Sequence, residues 1–174
     1  LEESRGAFDK AVQLYKQSLG IDSSFAKSLT RLHDVYLEEY ESEEEAMKYV
    51  DILLRYNPTH PMGRYQQGNY HLRRALSYQD PEFDALFKQH LNDAVLSYTI
   101  AVNKDPQFSA AYYSRGFTFV LGEGRIEEAL SDFRRTLELD STHAQAHFMM
   151  GSVLEKNGDY AGARDAYAQA SRYK

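Results

Sequence analysis

Along residues 144–170, AQAHFMMGSVLEKNGDYAGARDAYAQA, apolar and small positions recur at helical spacing, stop, and resume. His147, Met150, Gly151 and Leu154 share one face at i, i+3, i+4 and i+7, and Ala163, Tyr167 and Ala170 share another at i, i+4 and i+7. The polar run Lys156-Asn157-Gly158-Asp159 separates them, with Asn157-Gly158 as the stop. The pattern predicts two amphipathic helices back to back. Gly151 and Ala163 are the small residues where the two backbones must come close.

Earlier stretches repeat this unit. Residues 1–22 read as one helix with Phe8, Ala11, Val12, Tyr15 and Leu19 on a stripe. Gly6, Phe8, Ala11, Tyr15 and Ser18 align with Gly158, Tyr160, Ala163, Tyr167 and Ala170, which predicts a second helix lacking its first. Residues 24–57 form a full unit, with Leu29, Leu32, Tyr36 and Leu37, then Ala46, Tyr49, Val50 and Leu53, and Pro58 after it. His33 stands there in place of the small glycine. The acidic run from Glu38 to Glu45 reads as a solvated turn, its acids favoured at the next helix's N-terminus. The sharper alternative is a docking patch for a basic partner. Residues 109–140 carry Tyr112, Gly116 and Phe119, then Ala129, Phe133 and Leu137. Their connection, Gly122-Glu123-Gly124-Arg125, has no strand before it and no Gly-Lys-Ser/Thr after it, so it reads as a helix–helix turn and not a phosphate loop.

Residues 60–105 form a stretched copy. Two registers are open for its first helix: Arg64, Gln67, Gly68 and His71, which keeps the glycine, or Tyr65, Gly68, Asn69 and Leu72, which buries more apolar surface. Ala94, Tyr98 and Ala101 follow, then Pro106. About 14 residues exceed the usual ~34-residue repeat, close to two extra turns on each of two antiparallel helices at 3.6 residues per turn. Leu72, Ala75 and Leu76 continue the first helix; Asp80-Pro81 offers an N-cap and first-turn proline; Phe83, Leu86, Phe87 and Leu91 lead into Ala94. A projecting hairpin is expected there.

Composition narrows the classes of function. The net charge of −6 argues against a nucleic-acid backbone as partner. With no cysteine there is no disulfide, thiolate zinc site or cysteine nucleophile, which fits a reducing compartment. No run is long and apolar enough to span a membrane, so an intracellular setting, cytoplasmic or nuclear, is expected, with no membrane insertion. The 14 tyrosines suit half-buried positions where the ring packs and the hydroxyl stays wet. His143 and His147 stand at i, i+4, but no third ligand is spaced to join them, and the other histidines are scattered. No serine–histidine–aspartate or paired-carboxylate motif can be argued. No catalytic residue, metal or cofactor is assigned.

These motifs resemble the tetratricopeptide repeat (TPR) family, whose pattern is W-x2-L-G-x2-Y, then A-x3-F, then P. Here it reads His147-x2-Met150-Gly151-x2-Leu154 with Ala163-x3-Tyr167, and Tyr112-x2-Arg115-Gly116-x2-Phe119 with Ala129-x3-Phe133. Earlier copies read Leu29-x2-Leu32-His33-x2-Tyr36 with Ala46-x3-Val50 and Pro58, then Ala94-x3-Tyr98 with Pro106. Ser23, Pro58, Pro106 and Ser141 recur at 35, 48 and 35 residues, so one copy alone is expanded. The resemblance covers essentially residues 1–174 as a single domain of about four and a half repeats: 1–22, 24–58, 60–106, 109–141 and 144–174. It implies an all-α, right-handed α-solenoid of antiparallel helix pairs with one elongated hairpin, whose first helices line a concave groove. It implies binding, not catalysis.

In that frame Arg31 and Asp34 give the groove a polar end, Tyr65 and Asn69 follow, and Tyr113, Phe117, Phe148 and Met149 make an aromatic and thioether floor. The alternative is that these side chains pack against a neighbouring or capping element. The resemblance also implies a test for the carboxylate clamp that grips heat-shock chaperone tails. The best frames offer Thr30, Asp34, Gln66, Ala110 and Ser114, or Tyr65, Asn69, Ser114, Gln145 and Met149, and only Asn69 matches, which argues against that partner.

The expected function is a protein–protein interaction scaffold that takes a peptide or helical segment of a partner in its groove, as a fragment of a larger multi-repeat protein. The alternative is a regulatory TPR segment of a larger enzyme. An RNA-binding helical repeat is a third reading, which the acidic balance disfavours. Uncovered apolar ends predict further repeats or self-association between copies.

Overall fold

The computed structural model describes residues 26–78, 80–122 and 124–173, together with Lys10, Gln13 and Leu14, which are helical. The remainder of the helix expected over residues 1–22 lies outside the described residues. The described residues form helices α1 (Ala26–Glu38), α2 (Glu43–Tyr56), α3 (Pro61–Leu76), α4 (Asp84–Lys104), α5 (Ser109–Leu121), α6 (Ile126–Leu139), α7 (Ala144–Lys156) and α8 (Tyr160–Arg172), with a 3-10 turn at Pro81–Phe83. They contain no strand. The architecture is an all-α array of antiparallel helix pairs. It divides into two compact units, residues 1–67 and 68–174, and the division falls within α3.

In the first unit, Leu29, Leu32, Tyr49 and Leu53 join α1 to α2 in one buried cluster, with Tyr36 stacked on Tyr49 at 5.5 Å. The acidic run is a turn followed by the first turn of α2, where Glu43, Glu44 and Glu45 meet the positive end of the helix dipole. Lys48 pairs with Glu45 one turn on. His33 is buried where the repeat pattern asks for glycine, and the pattern position facing it carries Val50 instead of an aromatic ring. Gln66 on α3 donates its amide to His33 Nδ1 (2.8 Å) and to Asp34 Oδ1 (3.1 Å). The imidazole is therefore fixed by a hydrogen bond. The start of α3 is capped by His60, whose Nδ1 accepts from the Gly63 N–H at 3.3 Å.

In the second unit each pair closes on a glycine beneath a ring. A Cβ at Gly68 would stand 2.5 Å from the Tyr98 ring, at Gly116 3.0 Å from Phe133, and at Gly151 2.8 Å from Tyr167. The first of these settles the register of α3: Gly68 is the close-contact residue, Ala75 is buried, and Leu72 is only partly so. The polar positions of that register are satisfied by bonding. Arg64 donates to Pro58 O at 2.6 Å and to Gln67 Oε1 at 2.9 Å, while His71 meets His90.

The hairpin is longer on one arm than the other, which corrects the expectation of two added turns on each. α3 has 16 residues against 13 in α1, α5 and α7, about one extra turn, whereas α4 has 21 against 14 in α2 and α6, two extra turns. Asp80 explains the difference. A residue before proline is pushed out of the helical region, and Asp80 is extended, its carboxylate accepting from the Glu82 N–H at 3.0 Å. That cap starts the 3-10 turn, and the α-helix proper begins only at Asp84. At the other turns Gly124 and Gly158 both have φ of +84°, the left-handed conformation that stops a helix where a side chain would be strained.

One pattern position departs from apolar with a clear reason. Arg115 on α5 stands where the repeat has Leu or Met, and its guanidinium forms a two-pronged pair with Asp132 on α6, both contacts at 2.8 Å. A third bond runs to Thr99 Oγ1 on α4 at 3.1 Å, so one side chain ties three helices. The Asp132 side chain is only 5% exposed. Removing Arg115 alone strands a buried carboxylate, so Arg115→Met is expected to cost about 3–5 kcal/mol in urea unfolding, and Arg115→Met/Asp132→Leu to recover most of that loss.

His60 supplies a pH dependence. Burial lowers its pKa from 6.5, because the charged ring is poorly solvated, and protonating Nδ1 would remove the acceptor that caps α3. A depressed folded pKa means stability that is present above about 6.5 and is lost as pH falls through the lower folded value. Thermal midpoints measured between pH 7.5 and pH 5 should fall on this account, and His60→Asn, which keeps a capping oxygen without a titrating ring, should flatten that part of the slope.

Candidate protein-binding cleft

Within the second unit, α5, the α6–α7 connection, α7 and the end of α8 enclose an open cleft of about 540 Å³. Tyr113 lies on its floor, its ring 4.7 Å from that of His143 and 6.0 Å from Phe133. Burial raises the pKa of the Tyr113 hydroxyl, which keeps it a neutral donor in the physiological range. His143 is locked by its role as N-cap of α7: Nδ1 accepts from the Ala146 N–H at 3.1 Å, which leaves the proton of the neutral ring on Nε2. Asp140 at the rim accepts from the Thr142 hydroxyl (2.7 Å) and N–H (3.0 Å). Those two bonds hold its carboxyl below the ordinary range, so the rim is negative.

Met149 and Phe148 come from consecutive positions of α7. Met149 packs on the buried cluster of Phe119, Ala129, Leu130, Phe133 and Val153. Phe148 points outward at 55% exposure, touching Tyr167 with ring centroids 5.5 Å apart. Tyr173 closes the far side and stacks on His147 at 5.9 Å. His147 Nε2 donates to the Ser141 carbonyl at 3.1 Å, so the two histidines spaced i, i+4 each serve the local backbone and not a shared ion.

Of the residues assigned to the groove from sequence, Tyr113, Phe148 and Met149 share this cleft. Phe117 is half-buried and outside that lining. Asn69 Oδ1 accepts from the Tyr98 hydroxyl at 2.7 Å, a bond within the α3–α4 pair. Arg31, Asp34 and Tyr65 belong to the first unit. There Arg31 is exposed, 4.0 Å from Asp34, and Asp34 is held by Gln66, while Tyr65 is half-buried. Asp140, Thr142, His143 and Tyr173 escaped the sequence reading because they lie between helices or after the last one, where no periodicity points. Also missed was the approach of His71 and His90, 19 residues apart, across the lengthened hairpin. Only a register for that hairpin reveals it.

Residues 120–173 match the family model described as tetratricopeptide repeat. The fold as a whole is that of TPR crystal structures. MamA superposes with a TM-score of 0.73 at 17% identity, covering 99% of this chain and 91% of that one. TTC0263 of Thermus thermophilus, a thermophilic TPR protein, gives 0.71 at 19% over 98% and 85%.

Residues 120–173 are tetratricopeptide repeat sequence, and the described helices have the TPR fold.

Part of the chain is similar to two curated proteins, one named a co-chaperone and one a DnaJ homolog. One is the tetratricopeptide repeat and J domain-containing co-chaperone DNJ1 of Cryptococcus neoformans, 38% identical over 71 residues, which are 41% of this chain and 13% of that protein. The other is DnaJ homolog subfamily C member 3 of Rattus norvegicus, 36% identical over 77 residues, 44% of this chain and 15% of that protein. The matched stretch spans less than a sixth of either relative's length. No described helix is long and apolar enough to cross a membrane.

The two aromatic residues of the cleft differ in what they support. Phe148→Ala should change the free energy of unfolding by less than about 0.5 kcal/mol, because the ring is mostly solvated. Tyr113→Ala should cost about 1–3 kcal/mol, since it removes a half-buried ring packed on Phe133 and His143. Urea titrations of the two variants check both.

Proposed function

We propose that this TPR chain is a protein-interaction module that holds an apolar or amphipathic segment of another protein, as peptide or helix, in the cleft at Tyr113, Phe148 and Met149. It acts by binding and not by catalysis. The observation that carries this reading is Phe148: a large apolar ring left 55% exposed beside a thioether and a half-buried tyrosine, in a cleft with few charges. Rigid aromatic anchors in a pre-formed pocket contribute most of the energy in peptide recognition, and an amphipathic helix seats its anchors at i, i+3 and i+4. The negative rim at Asp140 favours a basic residue flanking the apolar anchors.

The comparisons support the same class of partner. YrrB, whose structure is described as a TPR protein with an unusual peptide-binding site, superposes with a TM-score of 0.68 at 21% identity over 99% of this chain and 80% of that one. One relative is named a co-chaperone. A polypeptide segment with apolar side chains fits that setting and this cleft better than an acidic chaperone tail does, since no cluster of lysine, arginine and asparagine lines it.

Fluorescence anisotropy with a panel of labelled amphipathic peptides, basic-flanked and acid-flanked, tests the reading. Binding of basic-flanked peptides is expected, and Phe148→Ala, which leaves the fold intact, should weaken it about tenfold, equivalent to about 1.4 kcal/mol. Binding that is unchanged in Phe148→Ala but lost in Phe83→Ser/Leu86→Ser at the hairpin tip would move the site to the hairpin and overturn the assignment.

A further inference from the structure

The lengthened hairpin brings together side chains that the repeat pattern does not call for. His71 occupies a position of α3 where the pattern has tyrosine, and His90 is the last of the seven residues by which α4 exceeds α6 at its start. Their Nδ1 atoms face each other at 3.1 Å, and Asp93, one turn after His90, places Oδ2 3.9 Å from His71 Nδ1. Candidate ligand atoms of all three residues lie within 4.8 Å of one another. Two neutral imidazoles meeting Nδ1 to Nδ1 can share one proton, which uses one lone pair and leaves the Asp93 carboxylate beyond hydrogen-bond reach at 3.9 Å. An ion between them would use all three. Ligands about 2.0–2.2 Å from a tetrahedral ion stand about 3.3–3.6 Å apart, which this cluster reaches with shifts of a few tenths of an ångström for the nitrogens and about an ångström for the carboxylate.

The surroundings suit such an ion. Tyr78 stacks on the His90 ring, with centroids 5.6 Å apart and planes within 6°, and Tyr70 meets His71 edge-on at 5.3 Å, so both rings are oriented by packing. Arg74 donates to the Tyr78 hydroxyl at 2.7 Å. Only 20% of the His71 side chain is exposed, and its desolvation favours the neutral ring that a metal requires, against the opposing pull of Asp93.

We propose that His71 Nδ1, His90 Nδ1 and an Asp93 carboxylate oxygen form a three-ligand site for a divalent ion of the zinc class, with the fourth position open to water. Two imidazoles and one carboxylate are a borderline-soft set, suited to zinc or cobalt and poorly matched to calcium or magnesium. One ligand comes from α3 and two from α4, so the ion closes the extended hairpin in the manner of a clasp.

The test uses the whole chain, stripped with chelator and titrated with Co²⁺ and Zn²⁺. One equivalent of Co²⁺ should give the intense visible absorption of a four-coordinate site, Zn²⁺ should displace it, and Zn²⁺ should raise the thermal midpoint. Asp93→Asn and His90→Ala should each weaken Zn²⁺ by at least the roughly 10–100-fold that losing even an outer partner of a ligand costs, while His60→Asn leaves it unchanged. Should a variant fail to fold by circular dichroism, ¹⁵N imidazole spectra of the wild-type chain decide: both His71 and His90 Nδ1 must shift on adding Zn²⁺. Absence of a one-to-one complex, affinity unaltered in Asp93→Asn and His90→Ala, or imidazole shifts confined to other histidines would each overturn the site.

Discussion

The contact on which the second unit depends is an aromatic ring lying on a glycine. Gly68 under Tyr98, Gly116 under Phe133 and Gly151 under Tyr167 let each first helix approach its second more closely than any side chain would permit. Close packing of this kind has no slack. A methyl group in place of the glycine hydrogen would overlap the ring, and interiors at crystal-like density do not absorb such an overlap without moving a helix. The same contact recurs at the same point of each pair and holds the two helices of that pair close. The outward residues of α5 and α7, among them Tyr113 and Phe148, inherit their positions from it. In the first unit the pattern's glycine position holds His33 and its aromatic position holds Val50, both buried.

Polar groups complete what the glycines begin. Arg115 and Asp132 bury a charge pair where the repeat has an apolar residue, and Gln66 fixes the imidazole of His33. Neither arrangement is justified by stability alone, since apolar side chains of similar volume would pack as well or better. A shift in register would leave the Asp132 carboxylate buried without its partner, a far larger penalty than a shift between two apolar faces would incur.

Much of this was legible in the residues, and the gaps have physical causes. Helical periodicity together with Gly116, Gly151, Ala129 and Ala163 was enough for the class of fold, because the small residues mark where backbones meet. The same glycine signal was present at Gly68, yet polar Arg64, Gln67 and His71 masked it. Those side chains are satisfied by bonds to Pro58, Gln67 and His90, which no hydrophobicity pattern reports. The unequal arms of the hairpin were hidden for a different reason: total length is visible in a sequence, but its division between arms depends on the extended backbone that Asp80 adopts before Pro81. In the cleft, the helical contributors Tyr113, Phe148 and Met149 are positions that the TPR resemblance implies for a groove, whereas Asp140, His143 and Tyr173 sit at helix ends, where no repeat position points.

The length of α4 has a meaning beyond reach. Its excess over α6 is seven residues, and seven residues at 3.6 per turn miss two whole turns by only about 20°. The added segment therefore leaves Ala94, Tyr98 and Ala101 at almost the same angle to the start of the helix as a shorter helix would give them. A gain of one residue would have swung that start by about 100°. A repeat of this kind can grow by heptads without turning its buried face away from its neighbour, so variation in hairpin length among such arrays should come in near-whole turns, with new side chains appearing on the outer end while the packing beneath stays in phase.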